Sequence, residues 1–314
     1  MKQNMAWFTR GFVKYVFLHT VLIFIACTGL FAVDNANNEH NNIYEPVVFG
    51  VWWWWIAPQQ YTSHLDFLES RGVNEIYYHV YLYNFNNPRL GPFIEDAGNR
   101  GIRVFFLLNN ENYIWDHQGF KNIMCKFFAY QENAPQNQRF SGLHMDIEPH
   151  LHPLYVYNIY EFSQDFMDFI VWVNENFRHR LLATYDGATI DWDIPCWFTM
   201  PVSYKGETWT LYQAIITEAD RVFLMAYQNS AAKTYALAQN EITFARSINR
   251  LIVVGVETSA EYALPEETYY GLGKLYFYEQ LNELKRLLSR NTNNFGIAIH
   301  HMSSWFNMAE NVSY

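Results

Sequence analysis

The chain has 314 residues, half of them hydrophobic and 19% aromatic, and its 21 Lys and Arg against 31 Asp and Glu give a formal net charge of -10. A sequence of this kind can bury a sizeable core and is not expected to be disordered outside its ends. It has no basic stripe able to release counterions from a phosphate backbone, which argues against nucleic-acid binding and for a neutral or weakly polar partner.

The N-terminus has the three parts of an export signal: Lys2, Arg10 and Lys14, then an apolar run from Tyr15 to Val33, then a polar stretch from Asp34 to Asn42. Residues 1–32 are read as a signal peptide or lipoprotein leader, 33–45 as a polar linker, and 46–314 as one domain. Three fates stay open: cleavage after Ala32, acylation of Cys27 in the lipobox-like Phe24-Ile25-Ala26-Cys27, and retention as an uncleaved anchor. All three predict an exported protein, periplasmic, extracellular or surface-anchored, that meets a membrane only through this segment or a lipid on Cys27. The other two cysteines, Cys125 and Cys196, make no metal pattern and at most one disulfide.

From Val47 onward, short apolar runs rich in β-branched and aromatic residues alternate with longer amphipathic stretches, as in repeated βα units. The runs are Val47 to Trp54, Glu75 to Val80, Arg103 to Leu108, Gly142 to Ile147, Leu181 to Tyr185, Val222 to Tyr227, Leu251 to Val256 and Phe295 to His300. The clearest helices are predicted over Tyr155 to Asn176 and Glu279 to Arg290. Eight strands close a barrel, and the size of the domain fits the roughly 250 residues such a fold needs. An open doubly wound sheet would want a glycine-rich phosphate turn after the first run, where this chain has Trp52-Trp53-Trp54-Trp55-Ile56-Ala57-Pro58. The predicted fold is therefore an α/β single-domain (β/α)8 TIM barrel.

Polar and aromatic residues gather where the runs end. In chain order they are Trp54 and Trp55, His79 and Tyr81, Asn109 to Asn112, Asp146 and Glu148, Tyr185 and Asp186, Tyr227 and Gln228, Glu257, and His300 with His301. Active sites of such barrels lie at the C-terminal ends of the strands, where stability alone asks for no carboxylates or imidazoles. Along Ser141 to Pro149 the sequence alternates strictly, so Leu143, Met145 and Ile147 face the helices while His144, Asp146 and Glu148 face the lumen. Two carboxylates two residues apart inside a barrel are expected to share a proton, and the raised pKa of one of them suits a general acid. A satisfied buried network at the barrel mouth is the plainer reading of the same residues.

The order of His144-Met145-Asp146-Ile147-Glu148, then Leu224-Met225-Ala226-Tyr227, then Trp305 resembles the family-18 glycoside hydrolases, the chitinase-like barrels. Their fourth-strand motif is Asp-Gly-x-Asp-x-Asp-x-Glu. This chain keeps Gly142, Asp146 and Glu148 and has Ser141 and His144 at the other two aspartate positions. The resemblance implies that Glu148 donates the proton, that Asp146 orients a 2-acetamido group of the sugar, and that Tyr227 steadies that group. Gln228 stands where the sixth-strand motif normally has Asp. Ile147-Glu148-Pro149 and Glu257 also resemble, more weakly, the retaining barrel glycosidases that place an acid/base Glu on the fourth strand and a nucleophilic Glu on the seventh. In that family Ile147 would be Asn.

Around these catalytic candidates, Trp54, His79, Tyr81, Asn109, His144, Tyr185, Asp186, Gln228, His300 and Trp305 are expected to line a carbohydrate site. Adjacent His300 and His301 point to opposite faces of a strand, so no metal site is expected, and no cofactor is implied. Of the Trp52 to Trp55 run, two rings should point inward and two pack beneath helices. The acidic and aromatic stretch from Tyr185 to Asp193 reads either as cleft lining or as a surface loop. No Gly-x-Ser-x-Gly elbow is present, which disfavours serine-hydrolase chemistry. The expectation is a glycoside-hydrolase-like enzyme, against the alternatives of a non-catalytic carbohydrate-binding barrel or a surface scaffold.

Overall fold

The first strand, β1 (Val48–Trp53), is buried along its whole length, as expected of a parallel-sheet strand covered on both faces. The computed structural model describes residues 45–54, 61–261, 263–290 and 292–310; the leader, Cys27, Trp55 and the linker before Glu45 lie outside the described residues. After β1 come α1 (Thr62–Ser70), β2 (Glu75–His79), α2 (Leu90–Asn99), β3 (Arg103–Leu108), α3 (His117–Asn133), β4 (Gly142–Met145) and α4 (Ile159–Thr184). The second half holds β5 (Thr189–Pro195), a small hairpin of β6 (Pro201–Tyr204) and β7 (Glu207–Thr210), α5 (Leu211–Glu218), β8 (Arg221–Met225), α6 (Ala231–Leu237) and α7 (Gln239–Ser247). It ends with β9 (Ile252–Glu257), α8 (Lys274–Leu288), β10 (Gly296–His300) and α9 (Met302–Phe306). Strands β1, β2, β3, β4, β5, β8, β9 and β10 form a closed barrel in that order, each parallel to its neighbours, with β10 returning to pair with β1. This is the (β/α)8 barrel that the sequence predicts.

Alternation along the strands separates two cores. Phe49, Val51 and Trp53 of β1 join the layer between strands and helices. Val48, Trp52 and Trp54 point inward, to meet Tyr77, Phe105, Leu107, Phe223, Val253 and Ala298. The lumen is thus filled by rings, with Trp52 at edge-to-face distances of 5.4 Å from Tyr77, 5.6 Å from His144, 6.0 Å from Phe223 and 5.9 Å from His300. Gly142 is needed where it stands, because a Cβ there would lie 2.5 Å from the Thr189 carbonyl oxygen and 2.9 Å from the Phe105 ring. The outer layer follows helical spacing: α8 buries Phe277, Leu281, Leu284 and Leu288 on one stripe and carries Lys285 and Arg286 in its last turn, where cations suit the helix dipole.

The fifth run was expected over Leu181 to Tyr185, but Leu181–Thr184 is the last turn of the 26-residue α4, and the strand is Thr189–Pro195 instead. The physical reason is that β5 carries Asp191 and Asp193 on its inward face. Such a segment reads as polar loop until its partners are known. Those partners are distant in sequence: Arg221 on β8 grips Asp191 through Nε (2.8 Å) and Nη2 (2.6 Å) and reaches Glu75 through Nη1 (2.7 Å). Arg103 also pairs with Glu75, and Tyr77 Oη donates to it over 2.9 Å. Burial alone would raise the Asp191 pKa, but Arg221 and His144 bring it down to about 2.

Cys125 is exposed and Cys196 buried, and both are free thiols. No helix among the described residues is long and apolar enough to cross a membrane.

Glu241, in the first turn of α7, is 1% exposed, and neither of its carboxyl oxygens meets a donor side chain. Burial raises its pKa from 4.5 to about 7. Between these two values the folded chain holds a proton that the unfolded chain has released, so stability falls as pH rises through the window and is flat above it. At 1.36 kcal/mol per pKa unit the loss approaches about 3 kcal/mol. Thermal melts of wild type and Glu241→Gln across this range should show the wild-type Tm falling by several degrees more than that of the variant. Parallel curves would remove Glu241 as the cause.

Candidate active site

The sequence-predicted groups that come together do so at the C-terminal mouth of the barrel. Asp146 and Glu148 follow the last residue of β4; the Asp146 amide still donates to the Leu108 carbonyl over 2.9 Å, so the alternation of the strand continues past its end. Both side chains are half-buried, and Glu148 Oε2 lies 3.0 Å from His150 Nε2. Pro149 opens a 3₁₀ turn directly after Glu148, turning the chain away so that the carboxyl group stays at the rim.

Beneath them lies Asp193, which the sequence reading placed in a stretch of cleft lining or surface loop rather than on a strand. Its Oδ2 accepts from Trp52 Nε1 (2.9 Å) and sits 3.0 Å from His144 Nε2. His144 is fully buried and stacked on Tyr77 with ring centroids 4.0 Å apart, and its Nδ1 is 3.7 Å from Asp191. Burial would lower the imidazole pKa; the Asp193 and Asp191 carboxylates outweigh it and raise it. Burial, the Glu148 charge and a hydrogen-bonded contact with Asp193 hold the Asp146 pKa well above the ordinary carboxylate range. Burial also raises Asp193, against the lowering by His144 and Trp52. Asp146 is therefore disfavoured as a carboxylate by Asp193 as well as by the Glu148 expected from the sequence. The alternation Asp191-Trp192-Asp193 is the signal that could have exposed Asp193.

Tyr227, just beyond β8, is half-buried on the same rim, with its ring 6.0 Å from that of His300. Burial and the nearby carboxyls Glu257, Asp193, Asp146 and Glu148 raise its pKa well above 10, so its hydroxyl stays a hydrogen-bond donor. Glu257, at the end of β9, is buried; its Oε2 lies 2.7 Å from His300 Nδ1 and its Oε1 accepts from the Ser259 amide over 2.6 Å. Trp54 Nε1 donates to His300 Nε2 over 3.1 Å, which fixes the His300 proton on Nδ1, facing Glu257. His79 packs against Trp54 with centroids 5.5 Å apart. The desolvation of His79 lowers its pKa.

The remaining residues predicted to bind substrate scatter. Tyr81 is exposed in a 3₁₀ turn after β2, and Asn109 follows β3 with its carbonyl accepting from Tyr83 Oη over 3.2 Å. Gln228 follows Tyr227, and its carbonyl accepts from Thr234 over 3.3 Å. Tyr185 and Asp186 precede β5, and therefore stand at the opposite end of the barrel, because the run that was to carry them is the end of a helix. Trp305 is fully buried outside the lumen, edge-to-face with Phe49, Phe67 and Phe277, and its indole donates to Tyr278. Trp305 lies in α9 beyond the strand and turns into the helix layer, while Trp54 occupies the lumen mouth.

No family model matches the sequence, and no curated protein matches it. Among solved structures it is similar to a chitinase from Chromobacterium violaceum, at 15% identity over 67% of this chain and 68% of the other, with a TM-score of 0.41. A GH18 chitinase variant from Cycas revoluta in complex with (GlcNAc)4 matches at 11% identity over 82% and 95% of the two chains, with a TM-score of 0.44. A β-galactosidase from the psychrophilic Marinomonas ef1 matches at 9% identity and a TM-score of 0.53, over 81% of this chain and 53%, about half, of that longer one. At these identities the likeness is one of fold alone: the chain shares a (β/α)8 barrel with these proteins.

Proposed function

We propose that the chain is a glycoside hydrolase acting on a carbohydrate, with Glu148 as general acid. The observation that carries this reading is Glu148 half-buried at the open mouth of the barrel, directly beyond Asp146, whose carboxyl group burial and the Glu148 charge push toward the neutral form. In the reaction Glu148 gives its proton to the glycosidic oxygen as the bond to the anomeric carbon breaks, and Asp146 and the Tyr227 hydroxyl orient the sugar. Tyr227, half-buried at the mouth, offers a ring face to a sugar. Residues 1–32 are proposed to be the exported protein's leader and 33–45 its linker. Mass spectrometry of the mature protein would show the cleavage point, and Met1 retained on a cytoplasmic protein would overturn export.

Incubating the purified protein with a panel of labelled oligosaccharides and cell-wall fragments tests the activity. Release of a shorter sugar supports it, whereas binding without turnover favours the carbohydrate-binding alternative.

Two routes differ in the group that assists the departure. Either an acetamido group on the substrate attacks, steered by Asp146, or Glu257 attacks as nucleophile. The His300 and Ser259 contacts already hold both oxygens of Glu257, which favours Asp146. Asp146→Asn should therefore cost ~10²-fold or more in kcat, and Glu257→Gln much less. The reverse order, or a sugar adduct trapped on Glu257, would point to the double-displacement route.

A further inference from the structure

Besides Asp146 and Glu148, the mouth of the barrel holds a second group of polar side chains, and its hydrogen bonds converge on Glu257. Trp54 Nε1 donates to His300 Nε2 over 3.1 Å, His300 Nδ1 lies 2.7 Å from Glu257 Oε2, and the Ser259 amide donates to Glu257 Oε1 over 2.6 Å. Trp54 follows β1, His300 ends β10 and Glu257 ends β9, so three neighbouring strands of the barrel supply the chain.

The direction of each bond is set by chemistry. An indole N–H can only donate, so His300 Nε2 must accept, and the proton of the imidazole goes to Nδ1. Glu257 therefore meets a donor at each oxygen, and only a carboxylate accepts at both. Those two donors also offset the cost of a carboxylate that is 3% exposed. Glutamine could not take its place, because whichever way its amide is turned, one donor faces another. Turned with its nitrogen toward His300, it drives the imidazole proton to Nε2, against the Trp54 indole. The His300 backbone is held as well, its carbonyl accepting from the Thr258 amide over 2.6 Å and from Thr258 Oγ1 over 2.9 Å. The His300 side chain is 24% exposed against 7% for Trp54, so His300 is the member of the chain that reaches the mouth, with its ring 6.0 Å from that of Tyr227.

We propose that Glu257 is a positioning residue: acting through His300, it fixes the tautomer and orientation of the imidazole and the place of the Trp54 indole, and so shapes the sugar site without reacting with the sugar. This rests on the reading of the barrel mouth as the carbohydrate site. His300 then meets a sugar as a ring with both nitrogens engaged, and contributes shape rather than a proton.

The test is NMR of the full chain labelled with ¹⁵N in its histidine and indole rings, with His300 assigned by its loss in His300→Phe and Trp54 by its loss in Trp54→Phe. In wild type the neutral His300 ring should carry its proton on Nδ1, and the Trp54 indole N–H should exchange slowly with solvent. In Glu257→Gln the His300 proton should move toward Nε2, and the Trp54 indole should shift and exchange faster. His300→Phe should move the same Trp54 signal. On a cleaved sugar, Glu257→Gln should raise KM ~10-fold, about the worth of one hydrogen bond, while kcat falls far less. Unchanged His300 and Trp54 signals in folded Glu257→Gln, or a sugar adduct trapped on Glu257, would overturn the proposal. If Glu257→Gln does not fold, the wild-type spectrum still decides, since a proton on His300 Nε2 leaves Trp54 no acceptor there and ends it. A wild type that cleaves no sugar sinks the glycosidase reading alone, because the spectra judge the hold of Glu257 on His300 and Trp54 without substrate.

Discussion

Glu148→Gln is expected to lower turnover by ~10²–10⁴-fold on any oligosaccharide that the wild type cleaves, with melting temperature and sugar affinity nearly unchanged. The size follows from what is lost. Glutamine keeps the volume and can still hydrogen-bond to a glycosidic oxygen, yet it has no proton to give as the bond breaks. Stability should hold because Glu148 is half-buried at the rim and its one described ion-pair partner is His150, at 3.0 Å. Exposed and half-exposed pairs of this kind contribute little. Steady-state kinetics with a calorimetric melt of each protein checks both halves. Full activity in the variant would leave the carbohydrate-binding reading, or a different site.

The second large effect is structural. Arg221→Met should destabilise the barrel by about 3–5 kcal/mol, because it strands the buried carboxylates Asp191 and Glu75 with one cation fewer. At roughly 2–4 °C per kcal/mol for a domain of this size, the fall in Tm should be ~10 °C. Asp191 adds a signature in pH. Its folded pKa of about 2 lies below the ordinary 3.8, so its pairing stabilises the wild type above the higher value and is lost as pH falls toward the lower. In Arg221→Met that acid-side loss should shrink, since Asp191 no longer has its partner. Replacing Glu75, Asp191 and Arg221 together by apolar residues of similar volume should cost far less than the single change. A triple variant as unstable as Arg221→Met would mean that these three groups do more than balance their own charge.

Residues close in sequence were the legible part of the site. The strict alternation of Ser141 to Pro149 put Asp146 and Glu148 on one face, and the structure keeps that geometry even past the end of β4. Tyr227, Glu257 and His300 were legible for the same reason, each standing at the end of an unmistakable apolar strand. Trp305 was not, because one turn of helix after β10 rotates it into the outer layer, and sequence position alone does not give that rotation. Tyr185 and Asp186 were misplaced because an apolar helix end and a short buried strand present the same five-residue run.

By itself the sequence determined the periodicities: parallel strands apolar enough to be covered on both faces, amphipathic helices between them, and the inward carboxylates of the fourth strand. These follow from local geometry, since period 2 and period 3.6 are properties of the chain within a few residues. Only the tertiary structure decided which charges are tolerated inside the barrel. Asp191 and Asp193 make sense as a strand once Arg221, 30 residues on, and His144, 49 residues back, are seen to neutralise them. The energy of a buried carboxylate depends on what closes around it, and the sequence cannot show that before the barrel is closed.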